Sequence, residues 1–159
     1  MKYKTGLIIG RFQPFHHGHL FLFREAFKQV ENVIIGIGSV NVSNDKNPFP
    51  QIKIEQMIQK VIQIEGWENK VLQMFGIPDV NDDEKWLGSI KSQASPFDVV
   101  ISHNDWVTRI FREAKIPVIE VPFYKRDLYE GIKIRDLMKS GKAWKDRVPE
   151  CIFEVLKDI

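Results

Sequence analysis

The sequence predicts an α/β protein: a Rossmann-like, open, parallel five-stranded sheet with helices on both faces, forming a single domain over residues 1–159. Three observations predict it. Five short apolar runs rich in β-branched residues recur along the chain, each followed by a segment with helical spacing. The first two runs are apolar throughout rather than alternating, which is how strands covered on both faces read. The first two close on glycine and lead into polar loops, and ligands of parallel sheets bind outside such strand ends.

The elements follow in order. Gly6-Leu7-Ile8-Ile9-Gly10 is the first strand, and His17 to Val30 a helix with Leu20, Phe23, Phe27 and Val30 at helical spacing. Val33-Ile34-Ile35-Gly36-Ile37-Gly38 is the second strand, and Asn41 to Pro50 the longest polar loop. Gln51 to Ile64 puts Ile54, Met57, Ile58 and Val61 on one helical face. Val71 to Phe75 is the third strand, ended by Gly76 and Pro78, with a short helix over Lys85 to Ser92. Phe97 to Ile101 is the fourth strand, with a helix over Asp105 to Ala114; Val118 to Val121, between two prolines, is the fifth. Helices over Ile132 to Met138 and Pro149 to Leu156, separated at Gly141, finish the chain. Strand–helix–strand units of this kind cross over right-handed.

Composition removes several classes of function. At 43% hydrophobic and 28% charged, the chain is globular rather than disordered. A net charge of +2 argues against a dedicated nucleic-acid binder, and the basic stretch Lys139 to Arg147 reads as a solvated terminal face. Cys151 alone allows neither an internal disulfide nor a Cys-rich zinc site, which fits a reducing compartment. No apolar run approaches the ~18–20 residues of a membrane span, and Lys2 to Gly10 is too short for a secretory signal. A cytoplasmic protein with neither membrane nor nucleic-acid partner is expected. Phe21, Leu22, Phe123 and Tyr124 read mainly as core, with a self-association surface as the other option.

The chemistry concentrates in Gly10-Arg11-Phe12-Gln13-Pro14-Phe15-His16-His17-Gly18-His19, the passage from the first strand into the first helix. A helix start offers unpaired N–H groups and a positive dipole end, which suit phosphate. With the helix beginning near His16, His16 and His19 share a face. Gly18 between them lets a flat ligand approach the backbone, and Arg11 adds a planar cation matched to phosphate oxygens. The alternative reading of the histidines as metal ligands has only His103, far along the chain, as a fourth ligand for zinc. No metal site is expected, and the pattern of a P-loop is absent.

This passage resembles the HxGH signature of the nucleotidyltransferase superfamily, specifically the archaeal-type nicotinamide-nucleotide adenylyltransferases. The similarity continues at Ile34 to Ser39, at Asn47-Pro48-Phe49, at Pro78 to Asn81 with Trp86, and at Ile134-Arg135 followed by Gly141, Trp144 and Val148-Pro149. The resemblance implies transfer of the adenylyl group of ATP, with Mg²⁺, to nicotinamide mononucleotide, giving NAD and pyrophosphate. It implies catalytic roles for His16, His19 and Arg11, an ATP site shaped by Gly10, Phe12 and Gly18, and a homo-oligomer. It places Asn104 at the nucleotide crevice, with a helix cap beside Asp105 as the alternative, and Arg135 on the β- or γ-phosphate, where the residue taken alone reads as a solvated helix charge. Ser39 and Trp86 fall on the acceptor side, Trp86 as a stacking face for the nicotinamide ring or equally as a core aromatic.

The chain departs from that pattern in places. Where the family has Ser-x-Thr-x-Ile-Arg, this sequence has Glu130-Gly131-Ile132-Lys133-Ile134-Arg135, so two hydroxyl donors are replaced and a carboxylate is brought towards the triphosphate. Lys133, Lys125 or Arg126 would offset that charge, or Glu130 would help hold Mg²⁺. An arginine that the family carries after the Asn-Pro-Phe loop is absent at Ile52-Lys53-Ile54, leaving Lys46 or Lys53 to replace it. Alternative readings are transfer to another phosphate acceptor, such as a flavin nucleotide or phosphopantetheine, and a catalytically weakened nucleotide sensor. His19→Ala is expected to reduce turnover with little loss of stability.

Overall fold

The computed structural model describes residues 3–157. Its order is β1 (Tyr3–Gly10), α1 (His17–Ala26), β2 (Val30–Gly38), α2 (Gln51–Glu65), β3 (Val71–Ile77), α3 (Asp83–Gln93), β4 (Val99–Ser102), α4 (Asp105–Glu113), β5 (Val118–Glu120), α5 (Gly131–Lys139) and α6 (Phe153–Leu156). Two short 3₁₀ turns, Lys145–Arg147 and Glu150–Ile152, precede α6. The five strands pair in the order β3-β2-β1-β4-β5, all parallel. The chain builds outward from β1 on one side and from β4 on the other, so the strand order reverses between these two.

Strand pleating divides the apolar runs between two cores. Ile8, Val33, Ile35, Ile37, Val99 and Ile101 pack with α1, α2, α5 and α6. Their neighbours in sequence, Leu7, Ile34 and Val100, pack on the opposite face with Trp86 and Ile90 of α3 and Val107, Ile110 and Phe111 of α4. This is why the central runs of β1 and β2 read as continuously apolar: each successive side chain enters one core or the other. Among the described residues no helix is long and apolar enough to cross a membrane.

The differences from expectation lie at element ends. The first helix stops at Ala26 rather than Val30, because Val30 pairs with Tyr3 and opens β2. The helix expected from Lys85 begins at Asp83, where the Asp82 carboxylate accepts from the Glu84 and Lys85 amides. Asp98 stands before β4 instead of within it, its carboxylate accepting from the Thr5 amide at 3.0 Å. The last helix is broken into a 3₁₀ turn and the single turn of α6. Leu22 is core at 1% exposure, Phe21 stacks on Tyr124 at 4.6 Å, and Phe123 and Tyr124 are exposed. In the basic stretch, Lys139 pairs with Asp45, and Arg147 donates to the Leu128 carbonyl, anchoring the segment between β5 and α5.

Candidate active site

The carboxyl ends of β1, β2 and β4 open into a cavity of about 410 Å³ at the strand reversal, the place where open α/β sheets bind ligands. Its walls include Gly10, Arg11, Phe12, His16, Gly18 and His19 from the β1–α1 passage, and Ser39 after β2. Trp86 of α3, Asn104 at the head of α4 and Arg135 of α5 complete the set expected from the sequence. All ten of those residues border one cavity, although Phe12 and Trp86 do so as largely buried rings.

The β1–α1 passage is held by an unusual cap. His16 is the N-cap of α1, and its Nδ1 accepts from the Gly18 amide at 3.0 Å. Reciprocally, the His16 amide donates to Nδ1 of His19 at 3.1 Å. This is a capping box in which both side chains are imidazoles. Because each Nδ1 is an acceptor, each neutral ring carries its proton on Nε2 and presents it as a donor. The rings stack with centroids 3.7 Å apart.

Burial keeps both rings neutral. The His16 pKa is pushed down to about 3, first by desolvation and then by the electrostatic influence of the neighbouring His103, His17 and Arg135. His19 is held well below the ordinary value by the same burial and by His16 and His103. The pair therefore offers two N–H donors without resident charge at neutral pH.

Gly18 makes room for the cap and also borders the cavity: a Cβ there would lie 2.8 Å from Cε1 of His16 and 3.3 Å from the Tyr129 carbonyl. Gly10 likewise yields to the Phe12 ring, which would stand 2.9 Å from its Cβ. Phe12 adopts φ 53°, a left-handed conformation uncommon for an aromatic residue, and its ring meets His19 edge-on at 4.8 Å.

Hydrogen bonds across the chain lock this passage to its surroundings. The Gln13 amide exchanges two bonds of 2.9 Å with the backbone of Phe49, tying in the loop after β2. Arg135 donates to the Gln13 carbonyl at 2.8 Å. Arg11 lies against Gly38, with its Cγ 3.6 Å from where a Cβ would be. Ser39, at φ 57°, donates its hydroxyl to Asp79 at 2.8 Å, joining the loops after β2 and β3. Asn104 is the helix cap as well as a cavity residue: its Oδ1 accepts from the Val107 amide at 3.1 Å.

Trp86 is only 4% exposed and leans on Trp106, whose ring centroid is 4.6 Å away and which is 42% exposed at the cavity. Sequence reasoning missed Trp106, and gave no site role to His103, Phe123, Tyr124 or Tyr129, which also border the cavity. His103 stacks on Phe123 at 4.6 Å, and the Arg126 guanidinium lies 3.9 Å from the centre of the same Phe123 ring. The signal available was position: Phe123 to Arg126 follow the end of β5 directly. Neither Lys46 nor Lys53 borders the cavity; Arg126 does. The Glu130 charge is met by Arg126 at 2.8 Å and Lys133 at 3.6 Å, whereas the Lys125 amine lies towards the Tyr124 ring.

Among the described residues no group of three His, Cys, Asp or Glu is arranged to hold a metal. At the cavity Glu130 is paired to cations and Asp79 accepts from Ser39. The cavity's donor set of neutral imidazoles and guanidinium groups fits an anion.

A parallel sheet with such a crevice at its reversal defines an α/β protein built to hold phosphate esters. Comparison with known proteins agrees. Residues 7–135 match the family model described as cytidylyltransferase-like. A nicotinamide-nucleotide adenylyltransferase of Thermococcus onnurineus (strain NA1) is 36% identical over 157 residues, covering 98% of this chain and 83% of that protein. A crystal structure of a bifunctional NMN adenylyltransferase/ADP ribose pyrophosphatase from Francisella tularensis superposes with a TM-score of 0.80 at 27% identity. That match covers 98% of this chain, which spans about half (49%) of the bifunctional protein. A second structure of such a Francisella tularensis protein, complexed with AMP and a manganese ion, has a TM-score of 0.75 at 28% identity, covering 94% of this chain and 44% of that one. The chain belongs to the cytidylyltransferase-like family and, within it, to the nicotinamide-nucleotide adenylyltransferases.

Proposed function

We propose that this protein transfers the adenylyl group of ATP to the phosphate of nicotinamide mononucleotide, giving NAD and pyrophosphate. The observation that carries this reading is the His16–His19 pair, two uncharged imidazoles that keep Nε2–H donors at the cavity beside Arg11 and Arg135. A phosphate oxygen of the mononucleotide forms a bond to the α-phosphorus while the bond from that phosphorus to the pyrophosphate oxygen breaks. The non-bridging oxygens gain charge during this exchange, and fixed N–H donors and cations stabilise it without a covalent enzyme intermediate. In this reading His16, His19 and Arg11 act on the reacting phosphates, and Arg135 holds the leaving pyrophosphate. Gly10, Phe12, Gly18 and Asn104 shape the ATP site, while Ser39 and Trp86 belong to the acceptor site. Magnesium enters with the triphosphate, as part of the substrate.

The test is direct. Purified protein with Mg²⁺, ATP and nicotinamide mononucleotide is expected to form NAD and pyrophosphate in equal amounts. Binding of ATP with no pyrophosphate release, across nicotinamide, flavin and phosphopantetheine acceptors, would overturn the proposal in favour of a nucleotide-binding sensor.

A further inference from the structure

Three guanidinium groups border the cavity: Arg11, Arg126 and Arg135. Arg135 bonds to a backbone carbonyl, and among the described residues neither it nor Arg11 pairs with a carboxylate. Arg126 differs. Its Nε stands 2.8 Å from Oε2 of Glu130, while Nζ of Lys133 stands 3.6 Å from Oε1 of the same side chain. Each carboxylate oxygen thus faces one cation, the arrangement that two oxygens of a phosphate would take between the same groups.

Two further features fit a displaceable anion. Glu130 occupies the N-cap position of α5, yet its side chain accepts no bond from the helix amides. Its charge is used on Arg126 and Lys133 instead, and the helix start stays available to an incoming group. Arg126, for its part, lies over Phe123, its guanidinium carbon 3.9 Å from the ring centre, and Phe123 rests against His103. That stack fixes the guanidinium at the cavity wall independently of the carboxylate.

We infer that Glu130 is an internal anion that occupies Arg126 and Lys133 in the empty protein and competes for them with the terminal phosphates of ATP and with pyrophosphate. The inference rests on the reading of the cavity as a triphosphate site. Glu130 then sets how loosely both ligands are held and speeds departure of pyrophosphate, because the carboxylate retakes the cations as the product leaves. The Arg126 side chain is 55% and Glu130 27% exposed, so the pair opens easily and its effect is a modest one.

The experiment measures binding without chemistry. Titration of Mg·ATP and of inorganic pyrophosphate into wild type and Glu130→Gln, in the absence of any acceptor, is expected to give affinities about three- to tenfold tighter in the variant. Arg126→Ala should weaken binding little in wild type but remove the gain in the Glu130→Gln background. Unchanged or weaker binding in Glu130→Gln overturns the inference, as does an equal Arg126→Ala loss in both backgrounds. Glu130→Ala gives the same reading should the glutamine variant fail to fold, and thermal melts identify that case. Failure of Mg·ATP to bind wild type at all would instead overturn the triphosphate reading of the cavity, and NAD formation tests the acceptor separately.

Discussion

A Cβ at Gly131 would stand 2.7 Å from Nη1 of Arg135, four residues further along α5. The guanidinium folds back over the helix start and reaches the Gln13 carbonyl, bridging α5 to the β1–α1 passage. What obstructs the added methyl is the tip of a flexible side chain, so the helix itself tolerates alanine while the guanidinium must move. Gly131→Ala is expected to leave the melting temperature nearly unchanged and to raise KM for ATP by about tenfold, in line with loss of one charge-assisted hydrogen bond. An unaltered KM would show that Arg135 holds no phosphate.

Replacing His19 is expected to affect two quantities. Its ring is packed against Phe12 and Phe15, and its Nδ1 accepts from the otherwise unpaired His16 amide. His19→Ala therefore costs about 1–3 kcal/mol of stability, more than the sequence alone suggested, because it leaves a buried donor unmet. Turnover should fall about 10²- to 10³-fold, the usual effect of removing a donor to a transition-state oxygen. Denaturation and steady-state assays of the same preparation separate the two effects; a variant of normal kcat would remove His19 from the chemistry.

Gly18→Ala should disable the site through the cap. The added methyl would displace the His16 ring from the helix amides, with an expected loss of kcat exceeding tenfold despite alanine's better helix propensity. Normal turnover in this variant would mean that the position of the His16 ring is immaterial.

Acid should weaken the fold through the same rings. His16 has its pKa lowered to about 3 and His103 to about 4, both chiefly by burial, against an ordinary value of 6.5. Between those values and about 6.5 the unfolded chain binds protons that the folded one refuses, so stability falls as pH drops through that window. Above about 6.5 these groups contribute no slope. Melting temperature measured from pH 8 to pH 4 should be level and then decline; a decline confined to alkaline pH would contradict the neutral assignment.

The two indoles that border the cavity should behave differently. Trp86 is core, so Trp86→Ala is expected to cost about 3–5 kcal/mol and confound kinetics. Trp106 is half-exposed beside it. Trp106→Ala should preserve stability and raise KM for nicotinamide mononucleotide about three- to tenfold more than KM for ATP, as loss of a face for a pyridinium ring would. A change confined to the ATP constant would place that ring elsewhere.

The alternation of apolar strands and amphipathic helices was legible because strands buried on both faces need unbroken apolar runs, and a parallel sheet needs a crossover after each. The histidine motif was legible for a local reason too: His16, Gly18 and His19 lie within one helical turn, and their mutual bonds are formed by neighbours in sequence. Other features depended on contacts between distant segments. Arg135 meets Gln13 across the domain, the more exposed Trp106 joins the buried Trp86 at the cavity, and Phe123 brings His103 and Arg126 together. The place of Glu130 among its cations likewise depended on how the segment after β5 folds onto α5. Periodicity records which residues avoid water; only packing decides which of the remaining side chains share a crevice.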